Sequence, residues 1–287
     1  MEILKQLQKK NNFLKIFLFL TIFFCNLESS FAKVFSELLD IKGSFTQGGL
    51  LFGKTDSQSK IFFNNKNIFV NENGDFVLAL GRDEELENLI VIQASNKKET
   101  YKIRISKRKY KIQRIDGLPK NKVTPNSEEL KRIKQESKKI KKSKNVFLNK
   151  TLYKSGFIWP VKGIITGKYG NQRILNGKPR RPHYGLDIAA ASGTKIISPS
   201  DAKVILTMED SFFNGKMIIL NHGLGLNSIY SHLNKIYVNE GDEIKRGDLI
   251  GEVGNTGRST GPHLDWRINV YNIAVDPELL LLNQPQF

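Results

Sequence analysis

A chain of 287 residues with a single cysteine cannot be a disulfide-built scaffold, and it is long enough for two domains with separate cores. Its formal charge of +17, from 45 Lys and Arg against 28 Asp and Glu, fits a well-solvated surface or attraction to anionic envelope polymers and headgroups. Nucleic acid would attract the same charge, but the export signal read below argues against it as a partner.

Residues 1–32 read as a secretory signal peptide. Lys5, Lys9, Lys10 and Lys15 precede the apolar run IFLFLTIFFC at 16–25, and Ser30-Phe31-Ala32 resembles a small-x-small cleavage site. The run is well short of the ~20 residues that span a bilayer. Cys25 lies inside it, so the cleaved chain would hold no cysteine. The expected location is the periplasm or cell envelope, with at most peripheral membrane contact.

Residues 37–115 read as a small β-sandwich, immunoglobulin-like in broad terms. Alternating runs such as KIFFNNKNIFV, DFVLALG, LIVIQAS and TYKIRIS are separated by Asn, Gly and Asp clusters, with Asn73-Gly74 as a tight-turn signal. The segment has no histidine, so its expected work is positioning, binding or restraint. Residues 126–150 form a basic helical linker. Asn126 followed by Glu129 has the form of a capping box, and Leu130, Ile133 and Ile140 make a thin apolar stripe. That stripe is sparse for a membrane-surface helix.

All four histidines, His183, His222, His232 and His263, fall in the remaining segment, 152–287. His183-Tyr-Gly-Leu-Asp187 follows Pro182 and leads into an apolar stretch, as a loop entering a strand would. From His263 on, His263, Asp265, Arg267 and Asn269 alternate with Leu264, Trp266, Ile268 and Val270, a strand with one polar face. Ser228, Tyr230 and His232 would share a face by the same alternation. Three polar faces would then meet in one groove. Imidazole and carboxylate are zinc donors, and a catalytic zinc needs three protein ligands with one position open. Taken singly, HxxxD and HxD are weak signals.

In order and spacing the motifs are specific. HYGLD at 183–187, IILNHG at 218–223, YSHL at 230–233 and GNTGRSTGPHLD at 254–265 resemble the lysostaphin/LytM-type zinc endopeptidases, which cut peptide cross-links in bacterial cell walls. The resemblance runs from about Phe157 to Leu282. It implies a small antiparallel β domain with a single zinc in a groove. It further implies His183 and Asp187 as the first two ligands, Asp265 at the third position, and His232 with His263 as catalytic residues. The chain as a whole is thus expected to be mainly β. His222, in the family's His-Gly turn, is expected to be structural.

The family's third ligand is a histidine, and here it is Asp265. Two carboxylates would neutralise a divalent cation and weaken it as a Lewis acid. Arg267, on the same strand face, could instead pair with Asp265 and cripple the site. The segments FTQGGLLFGKT, GDFVLALGRDE and IDGLPKNKVTP resemble the N-terminal region of a proteobacterial subgroup of these peptidases. That subgroup also contains members with His-Leu-Asp-Trp-Arg in place of His-Leu-His.

The loop NQRILNGKPRRP at 171–182 gives a basic rim, from which Arg180 and Arg181 are expected to receive carboxylates of a wall stem peptide. The expected activity is metal-dependent hydrolysis of peptidoglycan peptide cross-links. A zinc-activated water would attack the amide while His232 and His263 move protons and stabilise the oxyanion. The alternative is a catalytically silent module that binds wall or activates a wall amidase, with an amidase or a divisome component as its partner.

Overall fold

The computed structural model describes residues 32–94 and 97–283. The leader read at 1–32 lies outside them except for Ala32. The chain is mainly β, as the alternating runs imply. Its first part contains β1 (Ala32–Ser36), β2 (Leu39–Gly43), β3 (Leu50–Lys54), β4 (Lys60–Phe63), β5 (Lys66–Ile68), β6 (Asp75–Ala79), β7 (Glu87–Ala94) and β8 (Lys97–Arg104). These make two four-stranded antiparallel sheets, in the orders β1-β2-β3-β6 and β5-β4-β7-β8. The alternation of β7 explains the layering. Ile90 and Ile92 face inward with Ile61 and Ile103 of the same sheet. From the other sheet, Ile41, Leu51, Phe76 and Leu78 complete the same core.

The run KIFFNNKNIFV is not one strand. Asn64 and Asn65 take φ of 46° and 63° and turn β4 back on β5 as a hairpin. Asparagine tolerates this left-handed backbone, which two-residue hairpins require. Asn73-Gly74 is a turn as expected, with Asn71 Oδ1 accepting the amides of Asn73 and Asp75. It carries the chain from one sheet to the other, since β5 and β6 lie in different sheets.

After β9 (Ile112–Ile115) come a short helix, Lys120–Val123, and a long one, Ser127–Lys144. The capping box is formed: Asn126 Oδ1 accepts from Glu129 N–H, and Glu129 Oε2 accepts from Asn126 N–H. The long helix buries no residue fully. Of its stripe, Ile140 meets Leu206, Met217, Ile219 and Ile229 on one face of the C-terminal sheet, while Leu130 stays exposed. No helix among the described residues is long and apolar enough to cross a membrane.

The last part contains β10 (Ile164–Gly167), β11 (Gln172–Leu175), β12 (Lys178–Pro179), β13 (Leu186–Ala189), β14 (Lys195–Ile197), β15 (Ala202–Ser211), β16 (Gly215–Gly223), β17 (Leu226–Ile236), β18 (Glu243–Ile244), β19 (Leu249–Val253), β20 (His263–Val270) and β21 (Ile273–Val275), then a helix at Pro277–Leu282. Its main sheet is antiparallel in the order β10-β13-β20-β17-β16-β15-β18. One face packs a large apolar core that includes Leu186, Ile188, Tyr230, Leu264, Trp266 and Ile268. Leu50, Phe52, Val77 and Ala79 of the sandwich belong to that core too, so β6 is buried on both faces. The two regions therefore share apolar contacts and do not hang on a free linker.

Candidate metal centre

The polar face of the C-terminal sheet holds the site. In the ladder, Asp187 of β13 stands directly opposite Asp265 of β20, and Ser231 of β17 flanks Asp265 on the other side. Alternation along β13 and β20 sends Leu186, Ile188, Leu264 and Trp266 into the core. It therefore sends Asp187, His263 and Asp265 the other way. His183 joins from the preceding loop, which is tied down by His183 N–H donating to Asn171 O and Gly170 N–H donating to His183 O. One donor atom from each of His183, Asp187 and Asp265 lies within 4.8 Å of the other two. All three residues are buried.

Two glycines make room for this. A Cβ on Gly167 would stand 2.2 Å from Asp187 Oδ2, and one on Gly185 would stand 2.6 Å from Asp265 Oδ1. Neither needs an unusual backbone; each is a close approach that a side chain would block.

His232 reaches the site by a route that simple alternation does not give. Alternation groups it with Ser228 and Tyr230, but those two face the other side of the sheet, where Ser228 Oγ lies 2.9 Å from Tyr230 Oη. His232 has φ of 66°, and the β16–β17 register shifts beside it. The left-handed residue reverses the alternation, so Leu233 takes the core position and His232 turns to the polar face. There its ring centroid lies 4.8 Å from that of His263.

Hydrogen bonds set the tautomers of both rings. His232 Nδ1–H donates to Thr256 O at 2.7 Å, and His263 Nδ1–H donates to Gly261 O at 2.8 Å. Each ring is left with Nε2 as an acceptor. His263 Nε2 lies 3.9 Å from Asp187 Oδ1. Burial pushes the His232 imidazole down to about 4, against the pull of Asp265. It is therefore neutral at neutral pH.

The carboxylates are matched by arginines. Arg267 forks onto Asp265, Nε to Oδ1 at 2.9 Å and Nη2 to Oδ2 at 2.5 Å. The ion pair anticipated from their positions is thus present, yet Asp265 still faces His183 and Asp187. Arg173 Nη2 pairs with Asp187 Oδ2. Burial by itself would raise both carboxyls. For Asp265, Arg267 outweighs burial and holds it well below the usual range, and for Asp187, His183 and Arg173 do the same to a smaller extent.

The donor set fits a divalent cation. His183 Nε2 and Asp187 Oδ1 are 3.0 Å apart but not in hydrogen-bonding geometry, and both are buried with no hydrogen-bond partner. Such orphaned atoms are costly unless something charged or polar sits between them. Asp265 spends one lone pair of each oxygen on Arg267 and keeps others free. His222 is structural, as expected: its Nδ1 lies 2.8 Å from Asp201 O and its Nε2 2.7 Å from Ser228 Oγ.

A cavity of about 270 Å³ opens over Asp187, His232 and His263. Arg173 and Arg258 line it, but Arg180 and Arg181 do not. Arg180 Nη2 donates to Val123 O at 2.8 Å, and Arg181 lines a different cavity. The arginine charge at the rim is therefore supplied by residues other than the pair singled out from the sequence. The far wall is invisible in the sequence. β9 lies parallel to β11, pairing Gln113 with Arg173, and this part of the chain brings Gln113, Ile115 and Leu118 to the cavity. Ile115 and Leu118 pack there with Val123 and Leu175.

Comparison with known proteins agrees with this geometry. Residues 181–277 match the model of peptidase family M23. An uncharacterized metalloprotease of Haemophilus influenzae is 38% identical over 97 residues, which are 34% of this chain and 20% of that protein. The peptidoglycan DD-endopeptidase ShyA of Vibrio cholerae is 39% identical over 89 residues, 31% of this chain and 20% of that protein. The chain thus spans about a fifth of the length of these curated relatives. A putative peptidase M23 of Pseudomonas aeruginosa, known by crystal structure, superposes with a TM-score of 0.65 at 26% identity, covering 85% of this chain and 96% of that one. Residues 181–277 of this chain thus form a peptidase family M23 domain.

Proposed function

We propose that the protein is a zinc-dependent endopeptidase of the bacterial envelope that hydrolyses peptide cross-links of peptidoglycan. The observation that carries this reading is the convergence of His183, Asp187 and Asp265 beside the two rings of His232 and His263 in one groove. Relatives named as peptidoglycan DD-endopeptidases support the substrate class. Export to the envelope rests on the leader-like residues 1–32.

His183, Asp187 and Asp265 would hold the metal, which when bound supplies Lewis acidity to a water and to the scissile carbonyl. The remaining work falls to the chain's own groups. His232, neutral and fixed through its Nδ1–H, offers Nε2 as a proton acceptor. His263, likewise fixed, offers its Nε2 in the cavity that the Arg173 guanidinium also lines. Once protonated, an imidazole so held stabilises charge developing on the carbonyl oxygen. Arg267 has a further part. By pairing with Asp265 it offsets that residue's negative charge, so the donor set is closer in net charge to one with a second histidine. Arg173 does the same for Asp187. In this reading the ion pair anticipated as damage to the site is a compensation for the aspartate.

The same pair favours a second reading, a silent module that binds wall or activates an amidase, because Asp265 already has a full-charge partner. Elemental analysis of the purified chain and of its Asp265→Ala variant separates the two. About one zinc per chain, lost in the variant, together with cleavage of purified peptidoglycan that chelation abolishes, is the expected result. A folded chain that takes up no zinc and cleaves nothing would establish the silent module.

A further inference from the structure

A second cavity, of about 630 Å³, lies between the C-terminal end of the long helix and the far end of β20. Five cations line it: Arg82, Lys141, Lys144, Arg181 and Arg267, with Asp83 as the lining carboxylate. Two of the five are already matched. Arg82 pairs with Asp83 at 2.6 Å, and Arg267 forks onto Asp265. Lys141, Lys144 and Arg181 have no ion pair or side-chain hydrogen bond among the described residues.

Lys144 is the telling member. It is part-buried, and this burial, with Arg267 and Lys141 nearby, pushes its ammonium down to about 8. A solvated lysine on a basic helix would keep its hydration, whereas an unpaired and partly desolvated one is costly. A residue with an orphaned acceptor lines the same cavity. Asn269 is buried, and its Oδ1 has no hydrogen-bond partner. The cavity thus holds one part-desolvated cation, Lys144, with the exposed Lys141 and Arg181 at its rim, and an amide oxygen in need of an N–H.

The C-terminal residue of a peptide offers both, a carboxylate and the backbone N–H next to it. The position suits this ligand. Arg267 and Asn269 continue the strand face that carries Asp265, and at about 3.3 Å per residue Asn269 lies roughly 13 Å along the strand from Asp265. An extended peptide bridges that span with about four residues.

We propose that this cavity is a recognition site for the free C-terminus of an extended wall peptide, with Lys144 and Arg181 holding the carboxylate and Asn269 accepting the adjoining N–H. The inference rests on the peptidase reading, because it takes the bound peptide to be the substrate or the retained product of that groove. Loss of either charge partner weakens recognition of the free acid and leaves the metal ligands in place.

The test uses the full chain after metal removal, so that no turnover intervenes. Calorimetry compares a wall-type tetrapeptide with its C-terminal amide. The acid is expected to bind roughly tenfold more tightly, the scale of one hydrogen-bonded charge pair. That preference should vanish in Lys144→Met, which keeps the aliphatic stem, and shrink in Arg181→Gln at the exposed rim. Equal binding of acid and amide would overturn the proposal, as would a preference that survives both substitutions. Displacement of the peptide by inorganic phosphate at similar concentrations would overturn the peptide assignment. If zinc binding and wall cleavage both fail while the acid preference holds and depends on Lys144, the peptidase reading falls and this site stands. If cleavage is present but acid and amide bind alike, this site falls alone.

Discussion

The sandwich core and the polar face of the C-terminal sheet are built from the same kind of strand and used in opposite ways. Between its two sheets the sandwich buries Leu39, Ile41, Ile61, Phe76, Ile90, Ile92 and their apolar neighbours. Its buried polar residues, such as Asn71 and Asn88, serve turns and strand ends. The C-terminal sheet also has an apolar face, but its other face buries His183, Asp187, His232 and Asp265 within one cluster. Apolar burial gains roughly 25 cal/mol per Å² wherever it occurs. Burying charge costs several kcal/mol per ion unless each charge finds a partner. The arginines on Asp187 and Asp265 are that compensation, and stability in this region therefore depends on pairs.

The most severe break in the contrast should come from removing one member of a pair. Asp265→Ala leaves Arg267, itself only part-buried, without a counter-charge and is expected to cost about 3–4 kcal/mol in denaturant unfolding, the lower end of the penalty for a stranded charge. The double variant Asp265→Leu with Arg267→Met should recover most of that loss. Equal destabilisation of single and double variants would show that the pair is not what the region depends on.

A loss of roughly 3–4 kcal/mol is expected for Phe76→Ala, which opens a cavity in the sandwich core. Zinc content and the ring resonances of His232 and His263 should not change. Loss of zinc from that variant would mean that the two regions are not separable in the way their burial implies.

His222 sharpens the comparison through pH. Burial holds its imidazole down to about 4, against about 6.5 in an unfolded chain. The unfolded state therefore takes up the proton first, and folded stability falls as pH drops from about 6.5 toward 4. The loss approaches about 3 kcal/mol at the lower end, while above 6.5 the group contributes no slope. In His222→Gln the slope over that window should fall by about half, with His232, also held down to about 4, supplying the rest, and an unchanged slope would assign it to other groups. The smallest effect belongs to the helix between the regions. Asn126→Ala removes the capping box and should cost about 1 kcal/mol, seen as earlier loss of helical signal on heating.

Much of the site is legible before folding. The alternation from His263 to Val270 needs only local periodicity, and β20 spans those residues as read. The capping box is equally local. The cluster of His183, Asp187 and Asp265 follows from the motifs, since residues on one strand face project together once the strands pair. His232 reaches the expected site but not by the expected alternation, because a left-handed residue in mid-strand leaves no period to detect. Nearness to His183 in the chain points to Arg180 and Arg181 for the rim. Arg173 and Arg258 line the cavity instead, and nothing in a run of basic residues says which one points inward.

The sequence by itself determined that this chain is mainly β, that its histidines gather in one strand-rich half, and that His183, Asp187 and Asp265 are candidates for one metal. These depend on spacing within a few residues, where backbone geometry leaves few choices. Tertiary structure alone decided that Arg173 takes Asp187, that β9 walls the groove, and that Lys144 and Asn269 line one cavity. Those outcomes depend on register between strands far apart in the chain and on which charges lose their water, and no local pattern encodes either.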